Sequence, residues 1–197
     1  MKNKRAKNKP FHRKLWVFLL ALTAVILLFY LFQGKEKENP GVFSRKQTAT
    51  SGPESVRKVK LFFASQDGEN LITEPREIIG GSDDVSEKAK KTMLELISGP
   101  ADKGIRTLPA STILRELFID ENGMAYVDLS KEAVVNHPKG VWSEVLTVYS
   151  IANTLIFNFP EIKSVKILVE GTEREELAGH VSIEKPLHEY IAIVKFD

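Results

Sequence analysis

The chain has 197 residues, enough for one ordinary domain and an appendage, and no cysteine, which excludes disulfides, thiolate metal sites and cysteine lipidation. Its formal charge of +2 is a sum of two unlike parts. Seven of the 28 basic residues precede residue 15 and no acidic residue precedes Glu36, so the remainder, with 21 basic against 26 acidic residues, is net −5 and lacks the footprint of a nucleic-acid binder.

Residues 1–14 form the basic tail. "LWVFLLALTAVILLFYLF", residues 15–32, follows without a charge. As a helix it would rise roughly 27 Å, near the thickness of a bilayer's hydrocarbon core. Trp16 and Tyr30 stand near its ends, where amphipathic rings favour the membrane interface. The positive flank precedes it, while Lys35 and Lys37 alternate with Glu36 and Glu38 behind it. That asymmetry predicts a single-pass anchor with the N-terminus in the cytoplasm and the rest outside. The apolar run exceeds a signal peptide's usual core, and no small-x-small cleavage site closely follows it. Residues 33–57, with Gly34, Pro40, Gly41, Gly52 and Pro53 among polar residues, read as a flexible linker.

The folded part is expected over 58–197, with the pattern changing from Val56. "VRKVKLFFAS" and "ENLITEPREII" flank Asp67-Gly68, a hairpin signal, and Pro75 marks the second strand as an edge or a break. In "SDDVSEKAKKTMLELISGP", Val85, Ala89, Met93 and Leu96 make one helical face. Ser82, Asp83 or Asp84 can cap it, Asp84 and Glu87 have capping-box spacing, and Gly99-Pro100 ends it. "STILRELFID" and "MAYVDLS" form a second hairpin about Asn122-Gly123, with Ile113, Arg115, Leu117 and Ile119 on one face. Ala125 and Val127 oppose Tyr126 and Asp128 on the returning strand. "VWSEVLTVYSIANTLIFNFP" is a second helix, striped by Val141, Val145, Val148, Ala152, Leu155, Ile156 and Phe159. "SVKILVEGTEREELAGHVSI" predicts a third hairpin turning near Glu170-Gly171. The expected fold class is α+β: a largely antiparallel sheet with two helices on one face, in the order hairpin-helix-hairpin-helix-hairpin, behind one transmembrane helix.

Five pieces, "VKLFFASQDGENLITEPREI", "LELISGP", "ILRELFIDENGMAYVDLS", "EVLTVYSIANTL" and "SVKILVEGTEREELAGHVSI", together cover most of Val59 to Leu187. In that order they resemble the GerMN domain of sporulation and spore-germination GerM-like proteins. The resemblance implies a noncatalytic, extracytoplasmic module, with a fold akin to the ring-building motifs that support assembly of spore-envelope secretion machinery. Two features depart from the pattern. One module on a membrane helix stands where the family's namesake resembles a two-module lipoprotein, and Pro109-Ala110-Ser111-Thr112 replaces the family's Gly-Thr after a loop proline.

Several residues invite chemical readings. Asp128, Ser130 and His180 are the parts of a nucleophilic triad, but no Gly-x-Ser-x-Gly elbow accompanies them, and short polar side chains at a strand end more commonly bond turn backbone. His180, Glu184 and His188 match no compact metal motif, so the catalytic, cofactor and metal sets are all expected to be empty. Asn153 reads as an amide bonded to backbone, and Trp142 with Tyr149, seven apart, as core packing. Gly80-Gly81 lacks the lysine of a phosphate loop. Glu144 is expected on the more polar side of its helix, although a glutamate at that point fits the family pattern and implies a local bond.

The function these readings carry is a noncatalytic, membrane-anchored interaction or assembly module of the envelope, linked to sporulation or germination. Its partners are the membrane and an envelope protein or a second copy, with no nucleic acid. The rival readings are a small-ligand or wall-fragment binder and, behind it, a hydrolase.

Overall fold

The computed structural model describes residues 22, 23, 26, 27, 56–80 and 82–196. The chain divides into two units, Met1–Thr48 and Ala49–Asp197. In the first, Leu22, Thr23, Ile26 and Leu27 are helical and exposed. The expected tail, the rest of the 15–32 span and most of the linker lie outside the described residues. Among the described residues no helix is long and apolar enough to cross a membrane.

In the second unit the chain runs β1 (Val56–Ala64), β2 (Leu71–Ile79), α1 (Val85–Ser98), β3 (Leu114–Ile119), β4 (Met124–Leu129), a single turn α2 (Glu132–Val135), α3 (Val141–Asn158), β5 (Ser164–Val169), β6 (Thr172–Glu173), a 3-10 turn at Ile191–Ile193 and β7 (Val194–Lys195). The expected single, largely antiparallel sheet is instead two sheets, ordered β1-β2-β7 and β3-β4-β5-β6. Two pairings are parallel, β2 with β7 and β4 with β5. The second has a direct cause. α3 carries the chain back between β4 and β5, and a strand returned by a crossover helix pairs parallel.

Alternation on β1 places Val59, Leu61 and Phe63 in the main core with α1, α3 and the inner face of the second sheet, where Leu117, Ala125, Val127, Val165 and Ile167 meet them. Phe62, Ala64 and Leu71 form a smaller core with Leu146 and Ile193. Pro75 holds an edge: β7 pairs β2 only at Leu71 and Ile72. Helix α1 begins as expected, with the Asp84 side chain accepting from Ser86 N at 3.0 Å, and ends at Gly99 with φ of 92°. Its capping box does not close, because Glu87 pairs with Lys90 at 3.2 Å.

The Asp120–Met124 turn is built on one carboxylate, whose Oδ1 accepts from Asn122 N and Met124 N at 2.9 and 2.8 Å. Gly123 has φ of 86°, and a Cβ there would stand 2.5 Å from Glu161 O, so only glycine fits. Ala125, Val127 and Leu129 face the core, opposite Tyr126 and Asp128. On β3 the expected face is interrupted. A register shift between Leu114 and Glu116 leaves Ile113 and Arg115 exposed.

The third hairpin is a stub. β5 and β6 pair over two rungs about Glu170-Gly171, and residues 174–190 run without regular strand. Leu177, Ile183 and Leu187 from this excursion are nevertheless buried in the main core.

Candidate functional site

The expected stripe on α3 is real in its middle and incomplete as a description. Val148, Ala152 and Leu155 are buried, but Val141 is 56% exposed, and ten of the 18 residues are buried on nearly every side. Five of those ten are polar and lie beyond any apolar stripe: Glu144, Thr147, Ser150, Asn153 and Thr154. Each reaches a distant segment. Thr154 Oγ1 accepts from Phe62 N at 3.1 Å. The Asn153 amide brackets Tyr190, donating to its carbonyl at 3.2 Å and accepting from its N–H at 2.8 Å. The Ser150 and Thr107 hydroxyls lie 2.7 Å apart, and the Thr147 hydroxyl is 2.7 Å from Thr107 O and 2.8 Å from Nε2 of buried His137.

Glu144 is the centre of this arrangement. It has no exposed surface, contrary to the expectation of a polar outer face. Oε2 accepts from the backbone N–H groups of Ala178, His180 and Val181 at 3.1, 3.2 and 3.0 Å, and Oε1 lies 2.6 Å from His180 Nδ1. Burial alone would raise the carboxyl's pKa. The His180 ring and the three N–H groups outweigh it and hold Glu144 below the usual carboxylate range. One acid from α3 therefore fixes the turn at 178–181, whose flanks share only the single antiparallel bridge Glu176–Ser182. A second buried charge does the same further along. Lys166 of β5, 5% exposed, donates to Glu184 O and pairs with Glu173 at 3.0 Å.

The triad candidates are dispersed among other duties. Asp128 accepts from Gly171 N at 2.7 Å and lies 3.6 Å from Arg115, which itself meets Glu170 at 3.1 Å. Ser130 Oγ accepts from Ile113 N at 3.0 Å. His180 belongs to Glu144 and lies in the excursion rather than on a final strand. His188 Nδ1 meets Lys163 O at 3.1 Å, while Glu184 contributes its carbonyl to Lys166. Among the described residues no group of three or more His, Asp or Glu could hold a metal ion. Gly81 lies outside the described residues.

Trp142 departs from the expected core packing: it is 45% exposed and donates Nε1 to Glu69 O at 3.1 Å, beside an open depression of about 410 Å³. Tyr149 is half-buried and packs against both cores, its ring tilted on Tyr190 with centroids 5.0 Å apart. In the loop that departs from the resemblance, Thr112 Oγ1 is buried with no hydrogen-bond partner among the described residues.

This geometry can be set beside known proteins. The family model described as "Germane: Sporulation and spore germination" matches residues 60–175, more than half of the chain. The chain belongs to the Germane family. Among solved structures, the tandem GerMN domains of the sporulation protein GerM from Bacillus subtilis superpose with a TM-score of 0.54 at 21% identity, over 68% of this chain and 46% of that one, which shows a shared fold. The first GerMN domain of the same protein gives 0.49 at 21% identity, over 68% and 97%. A Clostridium perfringens protein assigned as a lipoprotein gives 0.49 at 29% identity, over 68% and 88%. No curated protein matches the chain. The Germane match ends at residue 175, so the turn that Glu144 gathers lies just past it. Sequence reading missed the burial of Glu144. Its signal was present: a glutamate in a run otherwise rich in Val, Leu and Thr, with no basic residue on the same helix to pair with it.

Proposed function

We propose that this Germane chain is a noncatalytic interaction and assembly module of the cell envelope. It is held by the segment 15–32 in the cytoplasmic membrane, with the N-terminus inside and residues 58–197 outside, and it serves sporulation or germination. The supporting observation is the disposition of its polar groups. The acid, the hydroxyl and the imidazole that could do chemistry are each engaged with backbone or with one another in pairs, and their work is to hold loops. A domain whose reactive groups are committed in this way offers surface rather than a reaction centre. The charge asymmetry about residues 15–32 supports the placement. The partner is an envelope protein or a second copy, and the family's sporulation proteins supply the biological setting.

Crosslinking of the full chain in intact cells tests this reading: a discrete adduct with a protein partner or with itself is expected, and its absence would remove the support. Ser130→Ala separates the module from a hydrolase, because a variant that still melts cooperatively keeps the in-cell role in the first case and loses it in the second. The depression beside Trp142 favours a wall-fragment binder as the second reading, and a saturable thermal shift with such fragments would select it.

A further inference from the structure

From Lys60 to Ala64 the outward edge of β1 is met by groups that are not strands. Lys60, on that edge, has both backbone groups taken by a single side chain: its N–H donates to Asn158 Oδ1 at 2.9 Å and its carbonyl accepts from Asn158 Nδ2 at 2.7 Å. A primary amide offers an acceptor and two donors; Asn158 gives one N–H to Thr154 O at 2.7 Å and presents the other beside its oxygen in the spacing of a peptide group, so it stands where the backbone of a neighbouring strand would stand. Phe62 N–H is taken by Thr154 Oγ1 at 3.1 Å, and Ala64 exchanges both of its bonds with Ile105 at 3.0 and 2.7 Å. Three successive outward-facing residues are therefore each engaged by a different device.

The last turn of α3 that carries Asn158 is tied to the same strand. Arg57 donates to Asn158 O at 2.5 Å and lies over the Phe159 ring at 4.6 Å, while Lys60 Nζ lies over Phe157 at 5.1 Å. Elsewhere the pattern repeats. On the other side of this sheet Pro75 removes a donor from β2 beyond its short pairing with β7. On the second sheet, edge strand β3 has Leu117 N–H taken by its own neighbour, Glu116 Oε1, at 3.0 Å. An exposed row of backbone donors and acceptors is a template for another chain, and each of these three edges carries a group that blunts it.

We infer that the first half of the β1 edge, up to Lys60, is a latent strand-pairing surface, that the Asn158 amide keeps it shut, and that the partner it is shut against is a second copy of this chain. A second copy fits because two β1 edges related by a twofold axis pair antiparallel and offer each other the same donors and acceptors. Lys58 and Lys60 on that edge would bring like charges together in such a pair, a second guard of the same kind. Self-association within the proposed function therefore uses surfaces other than this edge. That reading and this one fail separately, since in-cell adducts of the native chain do not depend on Asn158.

The chain has no cysteine, so single cysteines report contact directly. Purified full chain carrying Lys58→Cys, or separately Lys60→Cys, is treated with a mild oxidant, with Leu94→Cys on exposed α1 surface as the collisional control. With Asn158 present, disulfide-linked dimer stays at the control level. Adding Asn158→Ala raises it about tenfold at Lys58→Cys or Lys60→Cys and leaves Leu94→Cys unchanged. Asn158→Asp keeps the acceptor for Lys60 N–H and loses the donor to Lys60 O, so it gives an intermediate yield; where the alanine variant does not fold, that comparison decides. Unchanged dimer at both edge positions, or an equal rise at Leu94→Cys, overturns the inference.

Discussion

The buried carboxylate of Glu144 receives three backbone N–H groups and the imidazole of exposed His180, and those donors are satisfied together only by the anion. Burial opposes it, but the His180 ring and the three N–H groups hold its carboxyl below the ordinary range in the folded chain. A depressed folded value stabilises the fold above the unfolded pKa, and that stabilisation disappears as pH falls through the folded value. Glu144→Gln should thus cost about 2–4 kcal/mol at pH 7, with the gap from the parent closing in melts taken from pH 5 down to pH 3. A gap that stays constant with pH would remove the carboxylate from the explanation. Thr112 presents the reverse case. Its buried hydroxyl meets no partner, so Thr112→Val, which keeps the shape, should raise stability by about 1 kcal/mol in denaturant unfolding. Asn153 and Asp128 were legible from sequence as groups that bond backbone, because short polar side chains at such places have few other uses. Glu144 was not. A helical wheel shows which side of α3 is apolar and cannot show that residues 174–190 fold over the other side.

The helices carry this lesson at the next scale. α1 was legible to its caps, since its spacing, Asp84 and Gly99 are all local signals. The core of α3 was legible too. Val148 is fully buried among main-core residues, so Val148→Asp should lower the denaturant midpoint by an amount equivalent to 3 kcal/mol or more, about the cost of an unpaired carboxylate in a core. An unchanged midpoint would place the wrong face of α3 inward. Strand pairing was less legible. Each hairpin has its turn residues in sequence, but the parallel β4–β5 pairing depends on which way α3 returns the chain, a long-range choice that period-2 alternation does not record. The stub at β5–β6 has the same origin. Asp128 and Lys166 on neighbouring strands bond Gly171 N and Glu184 O and divert the chain from a longer hairpin.

In the second unit as a whole, the excursion past β6 is part of the fold rather than a tail. Leu177, Ile183, Leu187 and Ile193 are buried, and Glu144 and Asn153 of α3 and Lys166 of β5 hold it in place. The family match stops at residue 175, yet a chain ending at Glu175 would strip Glu144 of its donors and uncover the core that Leu177, Ile183 and Leu187 close. Such a truncation should lose its cooperative melt and become sensitive to protease, whereas a stable, cooperatively melting product would show the excursion to be dispensable. The other end decides where the module works. Residues 15–32 and the positive charges before them place the folded unit outside the cytoplasm in the function proposed here. Paired reporters fused after Asp197 of the full chain measure this directly. One that is active only outside the cytoplasm should be active and one that is active only inside should be silent; the reverse pattern would contradict an extracytoplasmic assembly module.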